Sequence, residues 1–198
     1  GTGNIVKNFG GGASTNPAVG IRANNQWGVN ISYNQLNSND GGGANHATTL
    51  RGIYAQAGTS ANATISNNTV TVKSGATTSA CTAIDNAIGS TAASNTVAIN
   101  NNTITGCTYT TATTGTFTGI LSSATAATVN MNGNTVTGTV VGASGTTGAC
   151  TFQGIYCSGS ATSITMNSNS IYSNSIANQT GTMYCLRAGT TQLTVDGN

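Results

Sequence analysis

The sequence predicts an all-β fold, a β-solenoid of stacked parallel strands with about six coils of roughly 33 residues and three short strands per coil. Three observations predict it. The phrase Φ-x-Φ-x-x-N-x-Φ, with Φ apolar, recurs as Val29/Ile31/Asn34/Leu36, Ala63/Ile65/Asn68/Val70, Val97/Ile99/Asn102/Ile104, Val129/Met131/Asn134/Val136 and Ile164/Met166/Asn169/Ile171, and as Leu193/Val195/Asn198, which stops at its asparagine. A second landmark recurs with the same period, an Ile or Leu at Ile21, Ile53, Ile84, Ile120, Ile155 and Leu186. Finally, the helix former Glu is absent and Lys is scarce, while β-branched residues, Gly and Asn abound, which favours strands and turns throughout.

Each repeat opens at the second landmark. The openings read Ala18-Val-Gly-Ile21, Leu50-Arg-Gly-Ile53, Cys81-Thr-Ala-Ile84, Phe117-Thr-Gly-Ile120, Phe152-Gln-Gly-Ile155 and Met183-Tyr-Cys-Leu186. This anchor forms the first strand, Φ-x-Φ the second, the asparagine a tight bend, and a segment such as Val70–Val72 the third. Polar loops (37–49, 74–80, 107–116, 139–151 and 174–182) lead to the next anchor and absorb the variation in repeat length. No single strand of this length buries an apolar face alone. Stacked coils place like residues in columns about 4.8 Å apart. One inner column is the anchor itself, a second is Ile31, Ile65, Ile99, Met131, Met166 and Val195, and a third, of small residues, is Ala23, Ala55, Asn86, Ser122, Cys157 and Ala188. In that column Cys157 reads as a buried thiol.

The asparagines fit the same geometry. A sharp corner needs a residue that tolerates left-handed backbone angles, which Asn does better than any residue but Gly. Its side-chain amide can also donate to one neighbouring coil and accept from the other. Asn4, Asn34, Asn68, Asn102, Asn134, Asn169 and Asn198 are therefore expected to form a structural asparagine ladder. The phrase resembles the coil signature of right-handed parallel β-helices, the pectate-lyase-like superfamily, in which an asparagine ladder lines the tight second turn. The resemblance runs from Asn4 to Asn198. It implies a right-handed parallel β-helix of the bacterial surface or secreted type rather than a catalytic member, in a superfamily that also includes lyases, glycosidases and phage tailspikes.

Composition narrows the function. Only 4% of residues are charged, namely Lys7, Arg22, Arg51, Lys73, Arg187, Asp40, Asp85 and Asp196, and the net charge is +2. So thin a charge makes no basic stripe for nucleic acid or anionic lipid, and no apolar run of about 18 residues offers a helical membrane span. Cys81, Cys107, Cys150, Cys157 and Cys185 show no C-x-x-C pair and have only His46 as an imidazole companion, so no zinc site or cofactor is expected. An oxidising compartment would allow up to two disulfides among the five.

The resemblance adds a test for chemistry: its enzymes cleave polysaccharides with several carboxylates gathered in one groove. Asp40 falls in a loop, Asp85 in an anchor strand and Asp196 beside the last asparagine, on different sides or coils. No catalytic set is expected. Tyr54 and Tyr156 stand in an outward column (Arg22, Tyr54, Asp85, Leu121, Tyr156, Arg187) and could contact glycans, although ordinary exposed strand residues would look the same. His46 reads as a solvated loop residue. Thr69/Thr71, Thr103/Thr105 and Thr135/Thr137 make a short outward threonine array of the kind used to bind ice, interrupted on both sides.

The expectation is a single domain over residues 1–198, a subunit or an excised section of a longer solenoid, with Gly1 a processed N-terminus. Its repeats start and stop in phase, and neither end shows a helical or charged cap, which would block association. The leading expectation is a non-enzymatic, extracellular or cell-surface structural protein that self-associates head to tail into a filament or array. A surface adhesin or glycan-binding segment of a longer passenger protein is the alternative. A polysaccharide-degrading enzyme or an ice-binding protein comes third.

Overall fold

The computed structural model describes residues 3–11, 15–189 and 193–198; Gly1 lies outside them. The chain is a parallel β-solenoid of about five turns, each of about 34 residues. Every sheet pairing is parallel and joins one coil to the next.

Three six-stranded sheets run along the axis. The anchor sheet stacks β2 (Ala18–Asn24), β5 (Leu50–Gln56), β8 (Cys81–Asn86), β12 (Thr116–Ser122), β16 (Thr151–Cys157) and β20 (Thr182–Ala188). The Φ-x-Φ segments form β3 (Gly28–Ser32), β6 (Asn62–Ser66), β9 (Thr96–Asn100), β13 (Thr128–Asn130), β17 (Ser163–Thr165) and β21 (Leu193–Thr194). The third sheet holds β1 (Ile5–Lys7), β4 (Gln35–Asn37), β7 (Thr69–Thr71), β10 (Thr103–Thr105), β14 (Thr135–Thr137) and β18 (Ser170–Tyr172).

Register places like on like. Ile53 pairs with Ile21 and Ile84, and Ile120 with Ile84 and Ile155. The small column is equally in step, Ala23 on Ala55, Asn86 on Ser122 and Ser122 on Cys157. These columns fill the interior, and Phe117 stacks on Phe152 with ring centroids 5.8 Å apart.

Within the anchor strand, inward residues fall at Leu50, Ile53 and Ala55, out of phase with strict alternation. The register explains it: Arg51 pairs with Thr82 and Ile53 with Ile84, while Gly52 and Ala83 lie outside the pairing. A Cβ on Gly52 would stand 2.5 Å from the Ala83 carbonyl oxygen. The extra residue must be small because the next coil's backbone passes directly over it.

The loops differ from their expected form. Their inner ends fold into a fourth sheet of β11 (Thr108–Tyr109), β15 (Val140–Val141) and β19 (Ser175–Ile176), so the later coils have four sides. Tyr109, Ala112 and Val141 are buried there, and the Tyr109 hydroxyl donates to the Ser79 carbonyl. The 37–49 loop carries only a 3₁₀ turn, Asp40–Gly42, fastened by Lys7–Asp40 at 3.1 Å and by Lys73 Nζ donating to the Gly42 carbonyl.

The ladder runs through every rung. Nδ2 of Asn4, Asn34, Asn68, Asn102 and Asn134 each donates to Oδ1 of the next asparagine, at 2.9–3.2 Å. The same oxygens accept from backbone N–H groups of the preceding rungs, and the last link is Asn169 N–H to Asn198 Oδ1 at 2.6 Å. Nδ2 of Asn68, Asn102, Asn134, Asn169 and Asn198 also donates across to the carbonyls of Ile31, Ile65, Ile99, Met131 and Met166. An interior rung therefore satisfies all four capacities of its amide. The left-handed residue is the one before the asparagine, which corrects the expectation: Tyr33, Asn67, Asn101, Gly133, Ser168 and Gly197 have φ between 54° and 65°, whereas the six interior and final rungs do not turn left-handed. The corner residue turns the chain, and the asparagine after it points inward and locks the turn.

Candidate functional site

The outer surface of the anchor sheet collects most of the chain's chemistry. Because the residue before each anchor drops out of the pairing, the positions two before and one after the anchor share the outward face. All three arginines lie there, Arg22, Arg51 and Arg187, with Asp85 and the tyrosines Tyr54, Tyr156 and Tyr184. Arg51 Nε donates to Asp85 Oδ2 at 2.6 Å, and its guanidinium lies 4.3 Å from the Tyr54 ring centroid. Arg187 sits over Tyr156 at 4.5 Å and Tyr184 at 4.8 Å. Thr118 Oγ1 donates to Gln153 Oε1 at 2.9 Å between these two clusters. A shallow depression of about 330 Å³ lies beside the first, lined by Pro17, Val19, Arg22, Arg51, Tyr54 and Gln56.

This arrangement corrects the picture of an exposed, unpaired column. Asp85 is only 5% exposed, and burial pushes its carboxyl above the ordinary 3.8 despite the Arg51 hydrogen bond and charge, which pull it down. Tyr54 and Tyr156 are half-buried, each with a guanidinium over its ring, so that ring face is occupied by the protein itself. Arg22 and Arg187 have no carboxylate partner among the described residues. They leave a cation near each end of the face. The sequence held the clue to Arg51–Asp85 in the small residue before each anchor, but only with its displacement from the pairing known.

The three carboxylates meet different neighbours: Asp40 is held by Lys7 in the 3₁₀ turn, Asp85 by Arg51 on the anchor sheet, and Asp196 stands beside the final rung. All five cysteines are free thiols in this structure. Four of them are buried in the core, where Cys157 and Cys107 are pushed up to about 11 and about 12 by burial and Cys81 is also raised. Such thiols stay protonated and behave as small apolar side chains.

His46 is not a solvated loop residue. It is 1% exposed, with Nδ1 3.2 Å from the Gly11 amide and Nε2 3.0 Å from Thr48 Oγ1. Thr48 Oγ1 donates to the Asn16 carbonyl, which leaves its oxygen to accept from His46 Nε2–H, and Nδ1 lies against Gly11, 3.2 Å from its amide nitrogen and 3.1 Å from its carbonyl oxygen. The ring ties Gly11, and through Thr48 also Asn16, to the first long loop, and no sequence signal marks it. The threonine array is in register, Thr69 on Thr103 on Thr135. Its regularity is broken because the Thr71 hydroxyl donates to the Thr105 carbonyl.

One exposed residue escaped the sequence reading altogether. Trp27, the single tryptophan, is 94% exposed at the corner between β2 and β3.

Compared with known proteins, the chain matches no family model, no curated protein and no solved structure. Its class rests on its own architecture: a parallel β-solenoid repeat protein with an asparagine ladder.

Proposed function

We propose that this chain is a non-enzymatic structural protein of the right-handed parallel β-helix superfamily, of the secreted or cell-surface type, whose coils stack head to tail with those of a second copy into an extracellular filament or array. The observation that carries this reading is the open strand edges of the outermost coils among the described residues. β2 and β3 at one end, and β20 and β21 at the other, are the outermost strands of their sheets. Beside the last of them Met183, Leu193 and Val195 are 42%, 45% and 47% exposed, although the residues beneath them, Phe152, Ile164 and Met166, are buried. Strand edges with apolar flanks are templates for further pairing, and a coil of this same repeat has the matching register. Sedimentation velocity and negative-stain microscopy test it: the expected result is mass and length that grow with concentration. Monodisperse monomers from about 1 to 100 μM would sink the proposal.

The anchor-sheet face favours a second reading, a glycan-binding surface protein. Its support is the gathering of Arg22, Arg187 and three tyrosines beside the 330 Å³ depression. Glycan-array binding weakened by Tyr54→Ala and Tyr156→Ala would favour this reading, and a blank array would count against it.

A further inference from the structure

We infer that the corner at Trp27 is a binding platform for an uncharged sugar, separate from the anchor-sheet face and independent of the assembly reading. Trp27 extends from a turn in which Asn25 is left-handed, φ 55°, and the corresponding turn of the next coil repeats this at Ala57, φ 57°. The two turns are tightly stacked: a Cβ on Gly58 would stand 3.2 Å from the Gln26 carbonyl oxygen. Between them lies a depression of about 290 Å³, lined by Asn25, Gln26, Trp27, Ala57, Gly58, Thr59 and Ser60. Its far wall is the following coil, so a coil or second copy stacked on the β2–β3 end would not fill it.

The chemistry of the lining selects the ligand. An exposed indole offers an apolar face with a polar N–H at its edge, which suits a ring that is apolar on its faces and hydroxylated around its rim. Gln26 Nε2 is committed to the Asn24 carbonyl at 2.9 Å, which fixes that side chain and leaves Oε1 as an acceptor. The exposed hydroxyls of Thr59 and Ser60 make no hydrogen bond to the described residues and supply both donors and acceptors. No charged side chain lines the depression, so nothing compensates a bound carboxylate, sulfate or ammonium. A pyranose stacked on Trp27, with its hydroxyls on Gln26, Thr59 and Ser60, matches this lining. It can be a free monosaccharide or the terminal unit of a neutral glycan.

Trp27 is the only tryptophan, so its emission reports the site directly. The experiment titrates the full chain with glucose, galactose, mannose and N-acetylglucosamine, and with a neutral and a uronate-containing polysaccharide. It follows fluorescence, and calorimetry in parallel for variants without the indole. The expected result is a saturable emission change with at least one neutral sugar and none with free uronate. Binding should fall about ten-fold or more in Trp27→Ala, fall less in Trp27→Tyr, and weaken in Thr59→Ala/Ser60→Ala, with circular dichroism unchanged. Response to the polysaccharide alone assigns the site to a chain terminus, whereas response to monosaccharides assigns it to free sugar. No response to any neutral sugar, binding that survives Trp27→Ala, or emission that shifts with protein concentration alone, as when a second copy covers the indole, would each overturn the inference.

Discussion

At the scale of single residues, the asparagine ladder concentrates the energetics. Asn102 lies near the middle of the ladder and is 1% exposed, and its amide holds Asn68 N–H and Nδ2 and the Ile65 carbonyl of the preceding coil on one side and Asn134 Oδ1 on the other. Asn102→Ala orphans several of these buried groups at once. Urea denaturation should show a loss of about 3–5 kcal/mol, against about 1 kcal/mol or less for Asn4→Ala at the exposed first rung; equal losses would mean that the ladder carries little of the stability. The rungs were legible because a fixed three-residue offset survives any loop length. The left-handed corner was read one residue too late, although Asn67-Asn68, Asn101-Asn102, Gly133-Asn134 and Gly197-Asn198 all write the turn-forming residue just before the rung. Tyr33 has φ 62° with a bulky side chain and hides the rule in the first repeat.

At the scale of elements, the displaced residue in each anchor strand decides what the outer face can be. It brings Arg51 and Asp85 from adjacent coils onto one side. Strict alternation would have put positions three apart on opposite faces, which is why the ion pair and the Arg51–Tyr54 and Arg187–Tyr184 contacts were not legible, while the inner columns and the outward neighbours Tyr156 and Arg187 were. The pair also predicts a pH signature. Burial raises the folded-state pKa of Asp85 above its ordinary 3.8, so its contribution favours folding most below that value and declines as pH rises through the folded-state pKa. Thermal melts of wild type and Asp85→Asn should show the wild type gaining relative stability as pH falls from about 7 to about 3. The opposite trend would mean that the Arg51 charge outweighs burial.

At the scale of the whole molecule, repetition made the fold readable and the function hard to read. A period of about 34 residues survives in the sequence because each coil solves the same packing problem. Local departures have no such redundancy. The fourth sheet, the His46 tether and the Trp27 corner each arise in one or a few coils, so alignment of the repeats averages them away. The end coils carry the assembly prediction at this scale: Leu193→Lys together with Val195→Lys places two charges on the apolar patch of the last coil, and association seen in the wild type should drop about ten-fold or more by sedimentation. Unchanged association would move the contact from the ends to the sides of the solenoid.

The ladder also has a direction. From rung to rung, each asparagine amide donates to the asparagine of the later coil and accepts from that of the earlier one, without a reversal from Asn4 to Asn134, while the second N–H of Asn68, Asn102 and Asn134 turns back to a carbonyl of the earlier coil. Aligned amide dipoles add, and each polarises the next. The ladder therefore carries a dipole of its own, electronegative at its first rung and electropositive toward its last, supplied by neutral side chains.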